Sequence, residues 1–172
     1  DLILRGGVSL FASVDWPSAG QWSEYYRSLR IEQQFPSLMG LGFVAYLPSG
    51  QLAEFQRQMR DRGEGLFVLH PAGFRREYAP ILYLVPTTSA NRVEIGYDMY
   101  AEAMRQSTMR AAAETGTTRM SAPVTLAMDA GQARPMPATL LFAPVYRSQL
   151  PPVGLGERRD SLRGWVYAPI SL

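Results

Sequence analysis

Ser18-Ala19-Gly20-Gln21 has the form of a capping box, and Trp22, Tyr25, Tyr26 and Leu29 then recur at helical spacing until Phe35 and Pro36. This predicts an amphipathic helix with a buried aromatic face. Leu41 to Leu47 is short and apolar, bounded by Gly40 and by Pro48-Ser49-Gly50, and reads as a strand and turn. A second helix starts near Ser49, gathers Leu52, Phe55 and Met59 on one side, and stops at Gly63. Leu66 to Leu69 and Ile81 to Val85 are further strand candidates. Between them lies a loop with Pro71, Gly73, Arg75, Arg76 and Glu77, placed to cover a cavity.

From Val93 the pattern alternates, with Val93, Ile95, Tyr97 and Met99 on one face and Glu94, Gly96, Asp98 and Tyr100 on the other. That predicts a strand on which Asp98 faces away from the apolar row. Ala101 to Glu114 is rich in Ala and Met and ends at Thr115-Gly116, a helix with a glycine stop. Arg119 to Ala127, Thr139 to Val145 and Gly164 to Ile170 complete the set as strands. Several strands follow one another without an intervening helix, so the expected fold is α+β with a mostly antiparallel sheet. The chain shows no internal repeat, and Pro135 and Pro137 after Gly131 are the place to divide two lobes.

Composition narrows the chemistry. Hydrophobic residues make up 47% and charged residues 19% of 172 residues, the balance of a folded domain that buries a core without staples. All 17 basic residues are Arg, which removes the phosphate-loop lysine and Schiff-base chemistry. A net charge of +2, with arginines interspersed among acids, leaves no stripe for a nucleic-acid backbone. With no Cys and one His, thiol catalysis, zinc sites and serine triads have almost nothing to draw on, so no metal, cofactor or catalytic residue is assigned. His70, before Pro71, gets no role. No apolar run reaches the roughly 18 residues of a membrane span, and no signal peptide opens the chain.

Six short segments carry a resemblance. Glu77-Tyr78-Ala79-Pro80-Ile81, Gly96-Tyr97-Asp98-Met99, Glu114-Thr115-Gly116, Ser121-Ala122-Pro123-Val124, Pro144-Val145-Tyr146 and Gly164-Trp165-Val166-Tyr167 resemble the CHASE family in order and spacing over nearly the whole chain. The resemblance implies an N-terminal stalk helix followed by two PAS-like lobes, with most of the stalk lying before Asp1. Approximate bounds are 1–35 for the stalk and first helices, 36–130 for a membrane-distal lobe and 131–172 for a membrane-proximal lobe. It also implies a sensor rather than an enzyme. By the same resemblance the domain is expected to be the periplasmic or extracellular part of an inner-membrane receptor and to form a homodimer through its N-terminal helices. Its cytoplasmic output would be a histidine kinase, a diguanylate cyclase or phosphodiesterase, or an adenylate cyclase.

The expected partner is a small-molecule ligand, with an adenine-type cytokinin the first choice. In the plant cytokinin receptors of this family an Asp before the long helix binds the adenine amine and ring nitrogen, and it falls here on Asp98. A Leu whose backbone touches the adenine falls on Met120, and a Thr at the ligand's tail hydroxyl falls on Asp129; both are departures. The Thr of the helix-ending Thr-Gly is matched by Thr115. Tyr78 and Tyr83 are expected to stack a planar ligand or to build core. Asp98 has a second reading, as the cap of the helix beginning near Ala101. The alternative for the whole chain is a ligand-free dimerisation or protein-docking domain of the same kind of receptor.

Overall fold

The computed structural model describes residues 1–63, 67–126, 133, 136–148 and 151–172. Three helices come first: α1 (Leu2–Ser13), α2 (Ala19–Ser28) and α3 (Ile31–Gln34). Then follow β1 (Leu41–Ala45), β2 (Leu47–Pro48), α4 (Leu52–Asp61), β3 (Glu77–Tyr78), β4 (Ile81–Val85) and α5 (Ser89–Arg92). The chain ends with α6 (Ala103–Thr115), β5 (Arg119–Met120), β6 (Ala138–Tyr146), α7 (Leu155–Ser161) and β7 (Leu162–Ser171). The capping box is present in full, with Ser18 Oγ accepting from the Gln21 N–H and Gln21 Oε1 accepting from the Ser18 N–H.

A five-stranded antiparallel sheet runs in the order β4-β1-β7-β6-β5, and β2 and β3 form a separate antiparallel pair. Counted by its own strands in chain order the large sheet is 2-1-5-4-3, a PAS-like α+β arrangement. Strands from either side of residue 130 are neighbours in it, since β1 pairs with β7 from Gly42–Tyr167 to Ala45–Gly164.

Alternation along the strands feeds two apolar cores, one on each face. Phe43, Ala143, Val166 and Ala168 meet Leu4 and Phe11 of α1, Trp22 of α2, and Phe55 and Met59 of α4. Val44, Leu140, Phe142, Trp165 and Tyr167 face the other way, onto Met109, Ala112 and Ala113 of α6. Each core is pinned by one indole. Trp22 Nε1 donates to the Leu41 carbonyl at 3.0 Å, and Trp165 Nε1 donates to the Met109 carbonyl at 2.9 Å. Both rings are fully buried, so these bonds give their polar handles a partner that solvent cannot supply.

The alternating stretch from Val93 is not a strand. The Glu94, Ile95 and Tyr97 N–H groups donate to the carbonyls of Asn91, Arg92 and Glu94, coiling the chain after α5. Gly96 then turns it at φ 86, leaving only isolated bridges at Tyr97 and Asp98. A β-carbon on Gly96 would lie 2.3 Å from the Val68 carbonyl oxygen. Helix α6 begins at Ala103 rather than Ala101, because a 3-10 turn over Met99–Ala101 precedes it. The strand expected from Arg119 is cut to two residues plus a bridge at Val124, with Pro123 unable to donate to a ladder. Residues 67–69 are not strand, and Leu66, Ala127 and Pro135 lie outside the described residues.

Gly96→Ala combines the strained φ with the backbone collision and should cost at least about 2 kcal/mol, lowering Tm by about 4–8 °C. Gly50→Ala, where a β-carbon meets nothing within 4 Å, should stay within about 0.5 kcal/mol of the parent. Thermal melts followed by circular dichroism compare the two.

Candidate functional site

The sharpest feature of the interior is the carboxylate of Asp98, which has no solvent exposure. Its Oδ1 accepts from the Ala79 N–H at 2.7 Å and from the Tyr100 N–H at 2.9 Å. The second of these caps the 3-10 turn that leads into α6. Its Oδ2 is buried and makes no hydrogen bond, facing the Arg75 Nε at 3.1 Å in an ion pair. Burial pushes the Asp98 carboxyl above its ordinary range, against the opposing pull of the two backbone donors and the Arg75 charge.

Arg75 sits on the loop ahead of β3 and is held mostly by that loop's own backbone. Its Nη1 donates to the Gly73 carbonyl at 3.0 Å and its Nη2 to the Pro71 carbonyl at 2.6 Å. Its guanidinium lies 5.8 Å from the centre of the Tyr78 ring, and the Tyr78 hydroxyl accepts from the Arg75 N–H at 3.0 Å. Asp98, Arg75 and Tyr78 therefore form one cluster. Arg75 was visible in the sequence only as a residue of a loop suited to cover a cavity.

The other residues expected at a ligand site lie apart from this cluster. Tyr83 packs in the core on the α1–α2 face, stacked on Trp22 at 6.2 Å, and its hydroxyl donates to the Pro17 carbonyl at 2.7 Å. Thr115 is exposed at the end of α6, its hydroxyl donating to the Ala111 carbonyl at 2.7 Å, and Gly116 closes the helix at φ 67. Met120 is 65% exposed on the edge strand β5, where its backbone pairs with Leu141. Asp129 lies outside the described residues.

Beside the cluster, a cleft of about 330 Å³ opens between Glu77 of β3, Tyr100, the α6 residue Arg110, and α7. The Tyr46 hydroxyl donates to Glu77 Oε1 at 2.5 Å and Arg110 donates to Glu77 Oε2, while the Arg110 guanidinium lies over the Tyr100 ring. Burial, with the bond to Glu77 second, pushes the Tyr46 phenol up to about 12. The cleft thus offers aromatic walls and a paired carboxylate and guanidinium. Sequence reading had placed Glu77 in a motif without assigning it a contact. Among the described residues, no group of three or more His, Cys, Asp or Glu is placed to hold a metal ion. No helix among them is long and apolar enough to cross a membrane.

The sheet and the buried charged cluster where the chain enters its long helix give an α+β domain; its class comes from the family it matches. Residues 17–172 match the CHASE domain, and the chain belongs to that family of extracellular sensory domains of membrane receptors. No curated protein matches the chain.

Because its folded-state pKa lies above the ordinary value, Asp98 binds its proton more tightly in the folded than in the unfolded protein. Its contribution to stability is therefore full below the unfolded pKa and declines as pH rises through the window up to the folded one. Urea denaturation of the parent and Asp98→Asn across that window should show the difference shifting toward the variant as pH rises. A pH-independent difference would mean the carboxyl is not perturbed.

Proposed function

We propose that this chain is the small-molecule-binding portion of an extracytoplasmic receptor, and that Asp98 Oδ2 is the acceptor for a ligand's amine or ring N–H. The observation that carries this is the buried oxygen itself: it makes no hydrogen bond and is faced by the side chain of a loop arginine. Buried acceptors without a hydrogen bond are uncommon and cluster where function requires them. A planar donor such as an adenine amine would replace the guanidinium, gaining a charge-assisted bond of about 1.5–3 kcal/mol. The 71–77 loop would then leave its present position. Since Ala79 and Tyr100 also hang on Asp98, the displacement reaches α6 and gives the two states different ligand affinities, as signalling requires. An adenine-type cytokinin fits the donor chemistry, and a histidine kinase or cyclase would be the natural output of such a domain. A homodimer through the N-terminal helices would carry the signal.

A second reading is a docking domain. Val68 and Phe74, on the same stretch of chain, are 80% and 81% exposed, and both faces of the sheet are filled by the protein's own side chains. Such residues suit a protein partner at the loop.

Thermal shift with isopentenyladenine, zeatin and adenine separates the two readings. At about a hundredfold over Kd, a ligand should stabilise the protein by about 2.7 kcal/mol, or about 5–10 °C, and Asp98→Asn should abolish the shift. No shift with any of the three compounds would overturn the adenine reading and leave a sensor for another ligand or the docking domain.

A further inference from the structure

A second cleft, about 500 Å³ in volume, lies between the α1–α2 connection and α4, and Tyr46 lines both clefts. Its floor holds Arg163 of β7, whose side chain is only 8% exposed. The guanidinium sits in the corner of two nearly perpendicular rings, 4.5 Å from the centre of Trp16 and 5.7 Å from that of Phe11. A cation so placed has lost most of its hydration and needs an anion.

Among the described residues its ion-pair partner is Asp15, at 3.0 Å from Nη2, and that carboxylate is 93% exposed. An exposed carboxylate is screened by water and holds its partner weakly. A guanidinium presents five N–H donors in a planar fork, and Asp15 occupies one of its two ends. Arg147 lines the same cleft and adds a second positive charge. The remaining acid there, Glu54, is committed to Arg57 at 2.5 Å and to Gln58 at 3.1 Å. The balance around Arg163 is therefore two cations against one exposed anion. Trp16, Leu47 and Phe55 supply an apolar wall and Gln51 a neutral polar group. A volume of this size lies in the range of small-molecule sites.

We infer that this cleft is a binding site for a small organic carboxylate with an aromatic or aliphatic body, with Arg163 as its anchor and Asp15 as the internal group it displaces. The ligand's two oxygens would take the guanidinium fork side-on, which Asp15 does not, while its body lies along Trp16 and Phe55. Because Asp15 and Trp16 follow α1 closely, occupancy breaks the Asp15–Arg163 tie between the α1–α2 connection and β7, while the Tyr83 hydroxyl keeps its hold on the Pro17 carbonyl. The site is independent of Asp98 and stands whether or not adenine compounds bind there.

The probes are phenylacetate and hexanoate, with phenylacetamide as the neutral control, read by tryptophan fluorescence and thermal shift. Trp16 lines the cleft whereas Trp22 and Trp165 do not, so a fluorescence change on binding reports chiefly on Trp16. At least one of the two carboxylates should bind saturably. Phenylacetamide should bind at least tenfold more weakly than phenylacetate. Asp15→Asn should tighten carboxylate binding severalfold, Arg163→Gln should abolish it, and Asp98→Asn should leave it unchanged. Asp15 is exposed, so its variant folds and decides the matter even if Arg163→Gln does not. Failure of both carboxylates to bind Asp15→Asn would overturn the inference, as would amide binding equal to phenylacetate or undiminished affinity in Arg163→Gln.

Discussion

A carboxylate without solvent, Asp98, ties together two stretches of the chain, residues 75–79 and 98–100. Its Oδ1 holds the Ala79 N–H, where β3 hands over to β4, and the Tyr100 N–H, at the turn into α6. Its Oδ2 meets Arg75 from the preceding loop. Removing the charge from water is costly, and the compensation is distributed: two backbone donors on one oxygen and one cation facing the other. The backbone around it is bound to the same task, since the Asp98 N–H donates to the His70 carbonyl and the Met99 N–H to the Ala79 carbonyl. The cleft of Glu77 and Tyr100 inherits its geometry from this joint, because both residues lie within two positions of Asp98's partners or are those partners.

The sheet supplies the frame on which the joint acts. Its central strands, β1 and β7, are covered on both faces, so charged residues there need special provision. Arg163 opens onto a cleft at the strand's start and leans on aromatic faces. Two indoles, one per face, fasten α2 and α6 to the sheet through their only donors. The Asp98 joint is connected to the turn before α6, and Asp15 connects the α1–α2 segment to β7.

Local chemistry explains what the chain disclosed in advance. The capping box at Ser18, the apolar run of β4 and the Thr115-Gly116 stop each depend on a few neighbouring residues and appear as read, whereas the run from Leu41 to Leu47 splits into β1, ending at Ala45, and Leu47 of the separate β2–β3 pair. The segment from Val93 misled because alternation is a statement about spacing, whereas Gly96 at positive φ and the turn bonds after α5 dictate the path. Asp98 could be recognised as special from its place before the long helix. Its Arg75 partner could not, since it arises from a loop folding back over 23 positions. For the same reason the pairing of Asp15 with Arg163, 148 positions apart, leaves no local trace. Of the two readings open for Tyr83, stacking a ligand or building core, its placement is in the core on the face away from α6, with its hydroxyl on the Pro17 carbonyl.

The central claim is that Arg75 occupies the place of the ligand's donor at Asp98. Calorimetric titration of Arg75→Ala with isopentenyladenine, alongside the parent, tests it most directly. Removing an internal competitor should tighten binding by about tenfold, equivalent to about 1.4 kcal/mol. Affinity unchanged or weakened in Arg75→Ala, or no binding at all, would contradict the account.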